Sequence, residues 1–321
     1  MYSSLITVVV PVYNRGQAVR ATIDSALAQD LSPEQVEVVV VDDGSTDDTW
    51  KVLQEIYGSN PRVRLFSVPN GGVARARNYG LEQARGEFIA YLDHDDLWLP
   101  QKLRLQVGRM KNPRVGVAYC SWVSVDENGE EMPPVIQFQR QWWWRPCNGR
   151  AFPWVLLPHP LQFIRNPIIS MTIPLIRTQL LRDVGGFDAS TVPSDDWDLW
   201  IRLSRRCEFA CVNEELAQYV HHSGQQHKHM KVAYASALRI YRKHRVLWRK
   251  YPWVRFKQES YRRSCLAMMS LADAREALFA GRRLGVFLAS LKAIVQRPDI
   301  VFLRRWHRLW MRALQGNKER Y

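Results

Sequence analysis

The sequence predicts an α/β fold in which a mostly parallel sheet is flanked by helices, followed by a basic helical C-terminal region. Three observations carry this. Apolar runs alternate with amphipathic segments through the first 120 residues, the runs are continuously apolar, and the positive charge sits in the last third of the chain. A strand buried on both faces needs an apolar residue at nearly every position, which is how ITVVVPV and VEVVVV read. A strand with one wet face would alternate instead.

Taken in order, residues 5–12, 36–41, 62–68 and 88–92 are rich in Val, Ile and Phe and are expected to be strands. Residues 17–29, 47–57 and 73–84 place apolar side chains at helical spacing between them. Residues 124–168 read as irregular, with many prolines and the run Trp142-Trp143-Trp144, whose flat faces suit core packing or a sugar ring. A short strand is expected over 216–220. From about Gln226 the pattern is helical, in three or four basic amphipathic helices broken near Pro252 and Pro298.

The chain has 321 residues, enough for one large domain and an appendage, and the charge divides it accordingly. Residues 1–224 hold 22 Lys and Arg against 26 Asp and Glu; residues 225–321 hold 23 against 5, a net +18. A near-neutral domain over 1–224 followed by a cationic region over 225–321 points to chemistry in front and an anionic contact behind. Residues 5–12 follow no cationic leader, so a secretory signal is not expected. No apolar stretch reaches the ~18–20 residues of a spanning helix. The five scattered cysteines read as free thiols of a reducing compartment, and the lone Cys207-x-x-x-Cys211 is too little for zinc.

Ligands of parallel α/β sheets bind beyond the carboxyl ends of the strands, and here the polar clusters fall at those ends. Asp93-His94-Asp95-Asp96 follows the strand FIAYL. Three carboxylates within four residues repel one another unless a cation or donors offset them, and hard oxygens suit magnesium or manganese. The bland alternative is a solvated loop with Asp96 capping the turn at Leu97. Asp42-Asp43-Gly44-Ser45 supplies a turn and helix cap, with carboxylates to spare for a ribose or a base edge. Asn70-Gly71-Gly72 opens a helix bearing Arg75 and Arg77, a suitable place for a diphosphate. Ser194-Asp195-Asp196-Trp197-Asp198 is either an acidic first helical turn or the source of a general base. His221-His222 follows the late strand, where a histidine is either structural or a metal ligand.

In this order, VVVPVYNR, VDDGSTDDT, NGGVARARN, GEFIAYLDHDD, GGFD, SDDWDLWIRL and the late histidine resemble the family 2 inverting glycosyltransferases of the GT-A fold, over roughly residues 4–224. The resemblance implies that Pro11, Tyr13 and Asn14 edge a nucleotide pocket, with Asp43 or Asp42 at the base and Arg77 beside it. It makes Asp93 and Asp95 the DxD pair, Asp95 on a Mg2+ or Mn2+ ion and Asp93 nearer the nucleotide. It also makes Asp196 the catalytic base and places His222 near metal or diphosphate. The implied substrates are a nucleotide-sugar donor, a UDP-sugar, and a carbohydrate or lipid-linked acceptor in bacterial polysaccharide or glycolipid synthesis.

A nucleotidyltransferase would share the sheet and the metal, but it calls for an early lysine-bearing glycine loop where this chain has Pro11-Val12-Tyr13-Asn14. The basic tail with Trp248, Trp253, Trp306 and Trp310 would fit a nucleic acid, yet basic Trp-bearing helices suit an anionic membrane surface better. The expectation is therefore a cytoplasmic enzyme held peripherally on the inner face of a membrane.

Overall fold

The computed structural model describes residues 4–126, 128–132, 170–221, 230–249, 252–280 and 282–296. Two compact units emerge: residues 1–190 with 195–225, and residues 191–194 with 226–321. The tryptophan run at 142–144, His222, Pro298 and the tail tryptophans Trp306 and Trp310 lie outside the described residues.

The first unit is built on an eight-stranded sheet. Strand β1 (Ile6–Val12) and strand β2 (Val36–Asp42) are buried at every position, as continuous apolar runs demand. They pair in parallel, β2 also pairs in parallel with β3 (Val63–Ser67), and β1 with β4 (Phe88–Tyr91). Helices α1 (Val19–Leu27), α2 (Thr49–Tyr57) and α3 (Val73–Gln83) make the crossovers, as their apolar spacing predicts. Helix α3 lies so close on the sheet that a Cβ on Gly80 would stand 2.2 Å from Val9 Cγ1. Only glycine permits that approach.

Beyond β4 the sheet becomes mixed, with antiparallel pairs that the sequence does not announce. The two-residue strand β5 (Leu97–Trp98) is followed by helix α4 (Lys102–Arg109), then by β6 (Val115–Val125) and β7 (Pro174–Arg177). Strand β7 is antiparallel to both β4 and β6. Helices α5 (Thr178–Asp183) and α6 (Asp195–Leu203) lead to β8 (Glu208–Val220), which runs parallel to β6 and antiparallel to β5. The strand order is β3-β2-β1-β4-β7-β6-β8-β5. The start of the segment expected to be irregular is ordered: β6 runs on to Val125, and a turn returns Met132 N–H to Ser124 O at 2.8 Å. The late strand is likewise longer than the five residues its alternation marks.

A lysine is sealed inside this unit. Lys102 is fully buried, donates to Gln106 Oε1 at 2.9 Å, and stands 3.9 Å over the Trp98 ring, while burial lowers its ammonium to about 8. Gln106 in turn ties Ala118 O and Ile173 O, so α4 is stitched to β6 and to the approach to β7.

The second unit is helical, with α7 (Met230–Lys243), α8 (Arg245–Arg249), α9 (Pro252–Phe279) and α10 (Arg283–Gln296). Pro252 occupies the first position of α9, where its missing N–H costs nothing. Ala267, Leu271 and Ala293 form one buried cluster and Ala274, Ala277 and Val286 another, so α9 and α10 pack through small side chains. Lys231 of α7 ties to α9 through Asp273 and Glu276. Among the described residues no helix is long and apolar enough to cross a membrane.

Candidate active site

The carboxyl ends of β1, β2 and β4 meet the start of α6 and the end of β8, and hydrogen bonds between distant residues draw them together. At the end of β1, Pro11 is buried in the strand, whereas Tyr13 is 43% exposed and presents its ring outward. Asn14 adopts the left-handed conformation, φ 49°, which asparagine tolerates better than most residues. Its Oδ1 accepts Thr46 N–H at 2.8 Å and its own N–H donates to Ser45 Oγ at 2.9 Å, clasping the β1 and β2 ends.

The two acids after β2 turn inward. Asp42 is 1% exposed and accepts from Ser45 N–H, Ser45 Oγ and Ser67 Oγ, which closes its own turn. Asp43 takes Gly71 N–H and Gly72 N–H, each at 2.8 Å, one on each carboxylate oxygen. The sequence offers the start of α3 to a diphosphate; in the structure the Asp43 carboxylate already receives these amides. Both acids thus shape the loop after β2, and Asp43 is the one joined to the start of α3.

Arg77 is the hub. Its guanidinium donates to Asp93 Oδ1 at 2.7 Å and to Asp195 Oδ2 at 3.0 Å, and lies 5.5 Å from the Phe187 ring centre. Burial alone would lower its affinity for the proton, but Asp93, Asp195 and Asp196 hold it more firmly charged than usual. Phe187 belongs to the GGFD segment, which Asn78 clamps on both sides: Asn78 Nδ2 donates to Phe187 O and Phe187 N–H to Asn78 Oδ1, both at 2.8 Å. Gly186, at φ +64°, would put a Cβ 2.4 Å from Asn78 Oδ1, so the motif needs glycine there.

The acids of α6 separate by partner. Asp195 is held by Arg77, and Asp198 by Arg202 Nε at 2.8 Å. Asp196, 8% exposed, receives Trp197 N–H at 2.7 Å and adds to the negative field at Arg77. All three lie in the first turn of the helix, the placement the acidic-turn alternative gave them.

The carboxylates after β4 also divide. Asp93 and Asp95 keep partly exposed side chains, 26% and 18%, and Asp95 Oδ2 accepts Arg15 Nη2 at 3.1 Å. Arg15 Nε also donates to His94 Nδ1 at 2.9 Å. Asp96 is not a solvated cap. It is fully buried, takes the Thr172 hydroxyl and, at 3.3 Å, the Val220 N–H, and precedes a strand instead of a helix. Burial, then Asp95 and Asp93, push its carboxyl well above the usual range. Thr172 Oγ1 also accepts Asp93 N–H at 3.3 Å, so one threonine and one aspartate tie the acidic loop to the last strand. Asp96→Ala is expected to cost about 1–3 kcal/mol in urea unfolding, since it leaves the Thr172 hydroxyl and the Val220 amide without this acceptor. An unchanged midpoint would show that the link carries no load.

Sequence reasoning singled out the GGFD segment that holds Phe187 but named neither Arg15, Thr172 nor Tyr219 as a site residue. Tyr219 faces the acidic loop: burial, then Asp96, Asp95 and Asp93, push its phenol up. Arg15 could have been found from its place directly after Asn14 at a strand end. Thr172 and Tyr219 carry no such signal. Among the described residues no group of three or more His, Cys, Asp and Glu is assembled around a metal position. The partly exposed Asp93 and Asp95 nonetheless suit a hard cation, which binds through one or two carboxylates plus phosphate oxygens. His222 is outside the described residues; His221 before it stacks edge-on against Tyr219, ring centres 5.1 Å apart.

The model of the family described as Glycosyl transferase family 2 matches residues 7–182. An uncharacterized glycosyltransferase of Rickettsia typhi is 32% identical over 207 residues, 64% of this chain and 60% of that protein. A chondroitin synthase of Pasteurella multocida is 30% identical over 217 residues, 65% of this chain but 20% of the synthase. The match therefore spans less than two thirds of either relative. Among solved structures, S. aureus TarS 1–349 in complex with UDP gives a TM-score of 0.56 at 18% identity, covering 98% of this chain and 93% of that one. The mannosyltransferase PcManGT of Pyrobaculum calidifontis, in complex with GDP-Man and Mn2+, gives 0.61 at 19% identity, covering 98% and 88%. These likenesses are of fold, and the sheet is of the GT-A type. With the family model covering more than half of its length, the chain belongs to glycosyl transferase family 2.

Proposed function

We propose that the chain transfers a sugar from a nucleotide-diphosphate sugar, a UDP-sugar, to an acceptor hydroxyl with inversion at the anomeric carbon. The observation that supports this is the Arg77 bridge, which joins Asp93 of the acidic loop to Asp195 of α6, the neighbour of Asp196. The TarS complex with UDP-GlcNAc supports a UDP-sugar, and the chondroitin synthases support a polysaccharide or glycolipid acceptor in a bacterial cell.

Tyr13 offers an exposed ring to the base, and the Asn14 and Asp43 loops close the pocket around the nucleoside. Arg77 places a fixed positive charge where negative charge grows on the departing diphosphate, a preorganised contribution that needs no rearrangement. Asp196 accepts the proton of the attacking hydroxyl. Attack on the face opposite the leaving group inverts configuration in one displacement. A Mg2+ or Mn2+ ion held by Asp95 with Asp93, and approached by His222, would supply further neutralisation of the diphosphate.

Asp95→Ala is expected to abolish metal-dependent transfer while leaving the thermal transition in place, because Asp95 sits at the partly exposed rim and not in the core. Turnover of the parent enzyme undiminished in excess chelator would overturn the metal assignment. The helical unit, with the net +18 of residues 225–321, is proposed to hold the catalytic unit on the cytoplasmic face of an anionic membrane.

A further inference from the structure

Arg15 follows the left-handed Asn14 at the end of β1, and its backbone is held on both sides. Its own N–H and that of Gly16 donate to the Thr49 hydroxyl at 2.8 and 2.7 Å, and its carbonyl accepts Ala18 N–H at 3.0 Å. Thr49 is fully buried at the start of α2, so the point from which the side chain departs is fixed. The side chain itself is 22% exposed and crosses to the acidic loop after β4. There Nε donates to His94 Nδ1 at 2.9 Å and Nη2 to Asp95 Oδ2 at 3.1 Å. These two nitrogens form one edge of the guanidinium, the kind of fork with which arginine grips a phosphate or a carboxylate. Here the fork is divided between a histidine and an aspartate.

On the metal role given above to Asp95, we propose that Arg15 guards that carboxylate. It holds Asp95 until the donor arrives and then passes to the donor diphosphate, so that a divalent ion is retained only together with the nucleotide. Charge is the reason. Each carboxylate of the pair already faces a cation, Asp93 that of Arg77 and Asp95 that of Arg15. An ion arriving alone must displace Arg15 from Oδ2 or share the oxygen with it, and like charges so close repel. A diphosphate reverses the balance, because its oxygens suit a hard ion and a guanidinium alike. In turning to phosphate, Arg15 exchanges one charge-assisted hydrogen bond for another of the same kind. The sign of the effect separates this from a plain structural tie. Removing a tie between the ends of β1 and β4 would loosen Asp95 and weaken its hold on an ion, whereas removing a guard strengthens it.

Calorimetry on the full chain with Mn2+ alone, with UDP in chelator and with UDP in saturating Mn2+ tests this. The parent is expected to bind Mn2+ alone weakly and to bind UDP far better with Mn2+ than in chelator. Arg15→Ala and Arg15→Gln, each checked for its fold by circular dichroism, should bind Mn2+ alone at least about tenfold more tightly. Both should bind UDP in Mn2+ about tenfold more weakly, the loss of one charge-assisted hydrogen bond. Arg15→Lys keeps the charge without the fork, so it should bind Mn2+ alone as the parent does. Adding Asp95→Ala to Arg15→Gln should erase the gain for Mn2+. Neutral variants that bind Mn2+ alone no better than the parent would overturn the role of Arg15 and leave the metal reading standing, as would a gain that survives Asp95→Ala. UDP bound equally by the parent in Mn2+ and in chelator would overturn both.

Discussion

Asp196→Asn is expected to bind donor as the parent does and to turn over roughly 10²–10⁴ times more slowly, the usual share of a general base. The amide oxygen of asparagine can still accept Trp197 N–H, so the first turn of α6 keeps its geometry and loses only its proton acceptor. The neighbouring acids are poor substitutes. Asp195 is bound to the buried Arg77 and Asp198 to the partly exposed Arg202, and each would have to abandon its cation to serve as base. Donor affinity by calorimetry and transfer rate under saturating donor separate binding from chemistry. A near-normal rate would move the role to Asp195 or Asp198. A product with the donor's anomeric configuration would overturn the single displacement itself.

Arg77→Ala should cost more than a contact. Its side chain is 8% exposed and that of Asp195 only 4%, so truncation leaves a buried carboxylate with its cation removed. Losing one partner of such a pair typically costs about 3–5 kcal/mol, visible as a lower midpoint in urea. Transfer should be lost as well, since Arg77 also orients Asp93. Arg77→Lys keeps the charge but cannot fork between two carboxylates, so its stability should fall between parent and Ala. If Ala and parent unfold alike, Arg77 is not the hub.

The parallel half of the sheet was legible because doubly buried strands have no choice but to be apolar throughout, as Val8, Val9 and Val10 show. The mixed half was legible only in part, at the end of β8, where a strand was expected over 216–220. Strand β7 has four residues and β5 two, too few for a period to appear. The acidic clusters were legible as places, not as orientations. Nothing within Asp42-Asp43 or Asp93-His94-Asp95-Asp96 says which carboxylates turn inward. That is decided by Ser67, by the Gly71 and Gly72 amides, by Thr172 and by Val220, which are tens to more than a hundred residues away.

Those separations have a consequence for how the molecule comes into being. Arg77 and Asp195 are 118 residues apart and Asp96 and Val220 are 124 apart, and both links lie in the candidate site. Contacts that close such long loops form only after the intervening chain is organised, because the entropy of closure must be offset by structure already in place. During synthesis the parallel half, complete by Tyr91, can assemble while the ribosome is still making α6. The candidate site cannot, because α6 and β8, which complete it, do not yet exist. A nascent or truncated chain would thus possess strands β1 to β4 without their links to α6 and β8, and the candidate site would be complete only with β8.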